Sequence, residues 1–81
     1  MAFFVYVLKS VDGRINYVGS TENIADRLER HNDGRSKATK AYRPFVLVHQ
    51  EEFSSRAEAY SREMYYKTGK GREELAKYIR S

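Results

Sequence analysis

Residues Phe3 to Ser20 read FFVYVLKSVDGRINYVGS, two alternating runs rich in β-branched and aromatic side chains with Asp-Gly between them. Alternation of this kind marks paired strands, so Phe3–Ser10 and Ile15–Ser20 are expected as a hairpin. Asp12 and Gly13 suit the two central positions of a type I′ turn, where both residues take positive φ. Val11 then pairs with Arg14, and the ladder sets Leu8 opposite Tyr17 and Tyr6 opposite Gly19. In this register Tyr6 and Tyr17 are diagonal neighbours on one face, and Gly19 leaves space beside Tyr6. A slip of one residue would put the two phenols on opposite faces.

Outward from the hairpin, Ser20-Thr21-Glu22 supplies an N-cap and a first-turn acid for a helix running to about Asn32 and ended by Asp33-Gly34. Ile24 and Leu28 mark its apolar stripe, which also carries Arg27 and His31, while Glu22, Asp26 and Arg30 take the solvent side. A third strand, Phe45–Phe53, follows Arg43-Pro44; its first half is apolar on both faces and is expected at the centre of the sheet. Ser55-Arg56-Ala57-Glu58 fits a capping box, with Glu58 reaching back to the N-cap amide. The helix it opens should reach about Lys67, with Tyr60 and Met64 as its apolar marks, and end at Gly69. Leu75, Tyr78 and Ile79 give a last short helix its buried stripe. No repeat or long linker divides the chain, so residues 1–81 are expected to form one α/β domain, a small three-stranded, largely antiparallel sheet flanked by helices.

A chain of 81 residues can bury only a thin core. It has no cysteine, which excludes disulfides and thiolate metal sites; seven Tyr and four Phe supply large apolar areas instead. No apolar run approaches the roughly 20 residues of a membrane span. The N-terminus lacks a basic leader region, and a cytoplasmic protein is expected. Net charge is +4, which favours polyanionic partners. The cations concentrate between Arg30 and Arg43, where Arg30, Arg35, Lys37, Lys40 and Arg43 are opposed only by Asp33. Such a segment is either a solvated loop or a contact for phosphates.

Arg27, His31 and Glu63 fall on the inward or flanking sides of helices whose neighbouring positions are apolar, where patterning alone would not place them. Buried charge is costly unless paired or put to use. Arg27 and Glu63 either pair with each other, or carry their charges to the edge on long stems, or join the two tyrosines in a cleft of phenol, guanidinium, imidazole and carboxylate. That last set matches phosphodiester chemistry: Arg27 to hold a phosphate oxygen and Glu63 to place a hard divalent ion that keeps most of its waters. A water-activating base is also needed, and His31 and a tyrosine are both candidates. His49 alternates with Phe45 and Leu47 and reads as a core or edge histidine.

These residues resemble the GIY-YIG nuclease domain along nearly the whole chain. Phe4-Val5-Tyr6 stands where that family has its GIY strand and Tyr17-Val18-Gly19 where it has YIG. Arg27 and His31 stand in the following helix as its arginine and histidine do, and Glu63 occupies the place of its metal-binding glutamate. Length and the segment Arg43–Val48 look most like the small stand-alone bacterial branch, and the N-terminal domain of the excinuclease C protein is similar. The resemblance implies metal-dependent hydrolysis of one DNA strand, in repair or processing of damaged or branched DNA, with weak sequence preference. It implies Mg²⁺ or Mn²⁺ on Glu63, water activation by Tyr17 or His31, support from Tyr6, phosphate stabilisation by Arg27, and DNA contact by the basic segment. No membrane partner or small-molecule cofactor is expected. Phe4 replaces the family's first glycine, and the asparagine that many relatives carry beyond the glutamate helix is missing, since no Asn follows Asn32. The alternatives are a module that binds nucleic acid without cutting, with affinity steep in salt and indifferent to metal, and a protein-interaction domain.

Overall fold

The computed structural model describes residues 2–37 and 39–80. Its elements are β1 (Phe3–Ser10), β2 (Asn16–Thr21), α1 (Ile24–Asn32), a 3₁₀ turn (Lys40–Tyr42), β3 (Phe45–Phe53), α2 (Arg56–Tyr65) and α3 (Gly69–Arg80). The strands form one antiparallel sheet in the order β2-β1-β3. None of the described helices is long and apolar enough to cross a membrane.

The central strand is β1, not β3. Val5, Tyr6, Val7 and Leu8 are all 2% exposed or less, because β1 is paired on both edges and covered on both faces. β3 lies at an edge, and its two-sided apolar start leaves Val46 and Leu47 exposed while burying Phe45. One sheet face, through Val5 and Val7, packs on Ala59, Tyr66 and Leu75 of the α2–α3 layer. On the other face Tyr6, Leu8 and Phe45 pack with Ile24 and Leu28 of α1.

The β1–β2 register is the expected one: Leu8 lies opposite Tyr17 and Tyr6 opposite Gly19. The turn is not type I′. Among the described residues only Gly13 and Gly34 have positive φ, so Asp12 stays in the ordinary region and a four-residue loop closes on the Ser10 N–H to Ile15 C=O bond of 3.0 Å. Asp12 holds that loop with its carboxylate, which accepts from Ser10 Oγ at 2.8 Å and Arg14 N at 3.0 Å. The Asp side chain therefore substitutes for a left-handed backbone.

Three helix details also differ from the sequence reading. Asn23 is the N-cap of α1, accepting from Asp26 N at 3.0 Å, because Ser20 and Thr21 are still paired with β1 and the helix starts only once the chain leaves the sheet. In α2 Ser55 caps as expected, but the Glu58 carboxylate accepts from Ser54 Oγ and Ser55 Oγ, with no bond to the Ser55 amide. The face of α2 turned to the sheet runs Ala59, Arg62, Glu63, Tyr66, so Tyr60 and Met64 are exposed. The small Ala59 allows close approach, and Arg62 is satisfied by Glu51, Tyr66 and Glu74. Gly69 opens α3 instead of merely closing α2, with Thr68 Oγ1 accepting from Gly71 N at 3.1 Å.

A β-bulge separates Val7↔His49 from Leu8↔Leu47, leaving Val48 without a partner in the ladder. The extra residue breaks the alternation that would have aligned His49 with Phe45 and Leu47. His49 instead turns to the α3 layer, stacked on Tyr78 with ring centroids 3.7 Å apart and Nε2 2.8 Å from Glu51 Oε2.

Candidate active site

Tyr6 and Tyr17 project from the α1 face of the sheet with ring centroids 6.1 Å apart. Gly19 makes room for them: a Cβ there would stand 2.5 Å from Tyr6 Oη. The helical repeat of α1 brings His31 from its last turn over both rings, 4.6 Å from Tyr17 and 6.2 Å from Tyr6 between centroids. His31 is 4% exposed, and both ring nitrogens are engaged, Nε2 with Tyr6 Oη at 3.3 Å and Nδ1 with Thr39 Oγ1 at 2.8 Å.

Glu63 approaches from the other layer. Ser20, one residue past Gly19, points to the α2 face and donates from Oγ to Glu63 Oε1 at 2.7 Å; Lys67 donates to Oε2 at 2.9 Å. The carboxylate, 14% exposed, thus sits against β2 within electrostatic reach of Tyr6. The partners of Glu63 are Ser20 and Lys67, not Arg27. Arg27 is exposed on α1 instead of facing inward, but its charge reaches both Tyr6 and His31.

Burial, and after it the adjacent Tyr17 hydroxyl, push Tyr6 well above the ordinary phenol range, outweighing Arg27. Tyr6 is therefore a protonated hydrogen-bonding group at neutral pH. Burial and then the Arg27 charge lower His31, which favours neutral imidazole. Lys67 is raised, chiefly by its bond to Glu63, and its charge is within reach of Tyr17. The arrangement offers a partly exposed phenol, a buried neutral imidazole, a guanidinium at the rim and one carboxylate.

Among the described residues no group of three or more His, Cys, Asp or Glu side chains is disposed to hold a metal ion by itself. The donor set does not suit a nitrogen- or sulfur-ligated tetrahedral metal. It does fit a hard, hydrated divalent ion, which one or two carboxylates hold in company with water and substrate phosphate oxygens. Glu63 is the carboxylate placed to do so.

The cations expected to meet DNA are all exposed, but two are engaged locally: Arg30 with Asp26 at 3.3 Å and Arg35 with Asp33 at 2.8 Å. Arg43 folds over Gly34, where an added Cβ would stand 1.8 Å from its guanidinium. Lys37 and Lys40 stay on the surface. Three residues of the site were not singled out by sequence reasoning. Ser20 was readable from register, which sets it opposite Val5 and so toward the α2 face. Lys67 was readable as the i+4 partner of Glu63. Thr39, 1% exposed, sits in a basic loop where nothing local marks it.

The family model for the GIY-YIG catalytic domain matches residues 2–78. A UPF0213 protein of Staphylococcus haemolyticus is 47% identical over 66 residues, 80% of this chain and 79% of that protein. A UPF0213 protein of Staphylococcus aureus is 42% identical over the same coverage. The solution NMR structure of the UPF0213 protein BH0048 from Bacillus halodurans, 32% identical, superposes with a TM-score of 0.56 over 95% of this chain and 84% of that one. The motif strands, the three-stranded antiparallel sheet and these relatives agree, and the chain belongs to the GIY-YIG nuclease family, among its small UPF0213 members.

Proposed function

We propose that residues 1–81 act as one cytoplasmic nuclease domain that hydrolyses DNA phosphodiester bonds with a divalent metal, nicking one strand with weak sequence preference. The observation that carries this reading is the meeting of Tyr6, Tyr17 and His31 from the α1 face with Glu63 from the α2 face at Gly19-Ser20 of β2. Structural packing alone has no need of a carboxylate and an imidazole brought from separate layers to the same strand.

Of the two candidate bases, Tyr17 is favoured for direct contact with water. Both nitrogens of His31 are already hydrogen-bonded and the ring is buried, whereas Tyr17 is partly exposed, with Lys67 within reach of its hydroxyl. Tyr17 Oη takes a proton from the attacking water as its own hydroxyl proton passes to solvent, the water oxygen bonds to phosphorus, and the P–O bond to the leaving oxygen breaks, that oxygen then taking a proton from solvent. Tyr6 and His31 hold Tyr17 in position, and Arg27 stabilises charge on the phosphate oxygens. Glu63 would hold Mg²⁺ or Mn²⁺, which when bound neutralises charge developing on the phosphate. Phosphate contacts set position and not sequence, which suits repair or processing of damaged or branched DNA.

The test is incubation with labelled single-stranded, duplex and branched DNA in Mg²⁺, Mn²⁺ or EDTA, for wild type, Glu63→Ala and Tyr17→Phe. Cutting in metal, abolished by EDTA and by both substitutions, is expected. Binding of DNA by all three forms with no cutting by any would instead assign the chain as a binding module.

A further inference from the structure

A cleft of about 540 Å³ lies between β2 and the α2–α3 layer, on the side of the sheet away from α1. Val18, Leu75 and Ala76 contribute an apolar surface, and Lys67, Arg72 and Arg80 contribute three cations; no carboxylate lines it. Glu74, the acid of α3 nearest in sequence to Leu75, is engaged elsewhere with Arg62 and Tyr65. Arg72 and Arg80 are exposed and form no side-chain ion pair or hydrogen bond with the described residues. Two features join the cleft to the candidate active site: Tyr17 lines it, and Lys67 lines it while pairing with Glu63 at 2.9 Å.

An apolar floor under cations of a single sign suits a ligand with a flat apolar face and an anionic backbone. A nucleotide has both, and stacking or apolar contact for the base beside a positive groove for the phosphates is the usual way single strands are held. The volume is within the range of about 300–1,000 Å³ that encloses small ligands, enough for one nucleotide. The Arg30–Arg43 segment belongs to the α1 side, so it cannot supply this contact.

We infer that the cleft between β2 and α3 is a subsite for a nucleotide of the substrate strand flanking the scissile phosphate, with the base on Val18, Leu75 and Ala76 and the phosphate at Arg72 and Arg80. The inference takes the identity of the strand from the nuclease reading, but its test does not depend on cutting. In EDTA, and in a Glu63→Gln background, binding of a short fluorescent single-stranded oligonucleotide is followed by anisotropy. The cleft variants are Arg72→Ala/Arg80→Ala and, to obstruct the floor, Ala76→Glu, with Lys70→Ala/Lys77→Ala, two exposed cations of α3 outside the cleft, as the comparison pair.

Both cleft variants should weaken binding by about tenfold or more, and the arginine pair should flatten the salt dependence by about 0.7 in log–log slope for each phosphate no longer neutralised. Thermal melts should leave the arginine variants unchanged, since both side chains are exposed. Unchanged affinity in both cleft variants overturns the subsite. In parallel NMR titrations the oligonucleotide should shift the Val18 and Ala76 amides at concentrations where inorganic phosphate and a free mononucleotide do not. Equal affinity for either small ligand would mean a free phosphate or nucleotide site and would also overturn the proposal. Cleft-dependent binding with no cutting by wild type would remove the nuclease reading and leave the subsite; cutting and binding both indifferent to the cleft variants would do the reverse.

Discussion

Gly19→Ala perturbs the site at its tightest point. The added methyl would stand 2.5 Å from Tyr6 Oη and 2.7 Å from Cζ, about 1 Å inside favourable carbon contact. Tyr6 has little room to recede, being 2% exposed with Tyr17 and His31 against its ring. Any movement that relieves the clash stretches the 3.3 Å bond to His31. Overpacking of this kind costs about 1–3 kcal/mol, and loss of a buried hydrogen bond adds about 1 kcal/mol. At about 4–8 °C per kcal/mol for a domain of this size, the melting temperature should fall by about 8–32 °C. A displacement of about 1 Å at a catalytic group can cost about 100-fold in rate, so nicking measured well below the melt should fall on that scale. The decisive control is the same substitution in a Tyr6→Phe background, which deletes the atom nearest the new methyl. Gly19→Ala should then cost less, with a coupling of about 1 kcal/mol or more. Equal costs in the two backgrounds, or an unchanged melt, would refute the contact argument.

Other perturbations separate the remaining packing claims. Gly71→Ala would bring a Cβ within 1.9 Å of the Tyr65 carbonyl oxygen, a backbone atom that cannot swing away, so a loss above about 3 kcal/mol is expected in urea unfolding. Gly69→Ala meets nothing within 4 Å at a position without positive φ and should gain about 0.4–1 kcal/mol by restricting the unfolded chain; similar effects at the two positions would contradict the geometry. Asn32→Ala removes both side-chain bonds to the Phe45 backbone, N–H to Oδ1 at 2.6 Å and Nδ2 to C=O at 3.2 Å, and should cost about 1–3 kcal/mol; a change within error would show that water replaces them. Burial pushes the Glu51 carboxyl up, but hydrogen bonds from Tyr66, His49 and Arg62 outweigh it and hold it below its ordinary 4.5. A depressed folded value gives stability that is present above pH 4.5 and lost as pH falls through the lower folded value, so Glu51→Gln should flatten the acid limb of a stability–pH profile; parallel limbs for the two proteins would reject the assignment.

What could be read from the chain was what depends on period and register. The two-residue turn expected at Asp12-Gly13 and the four-residue loop that forms share one register, with Ser10 opposite Ile15 in both, so Tyr6 still faces Gly19 and the tyrosine pair survived a wrong turn type. Ser55, His31 and the stripe of α3 were likewise legible, because caps and helical spacing are local. Elements failed where a distant partner decides. The run Phe45–Val48 looks like a central strand, yet β1 takes that place because it is the strand paired on both sides, and a single extra residue at Val48 sends His49 to the opposite face from Phe45. In α2 the large side chains Tyr60 and Met64 lost the inward face to Ala59 and to Arg62, whose charge is matched by Glu51 on β3 and Glu74 on α3. No local pattern reports partners supplied by two other elements.

The same dependence on register explains why the candidate site sits on β2. Successive residues of a strand point to opposite faces, so Gly19 and Ser20 address different layers of the molecule. Gly19 admits Tyr6 on the α1 face, and Ser20 grips Glu63 on the α2 face. At a central strand two such positions would be separated by the thickness of a covered sheet. β2 has an unpaired edge, so charge from one layer can act on groups of the other around that edge, as Glu63 does on Tyr6 and Lys67 on Tyr17. The geometry of the site is then set jointly by two helix layers on opposite faces of the sheet. Substitutions in either layer should therefore act on the same phenols.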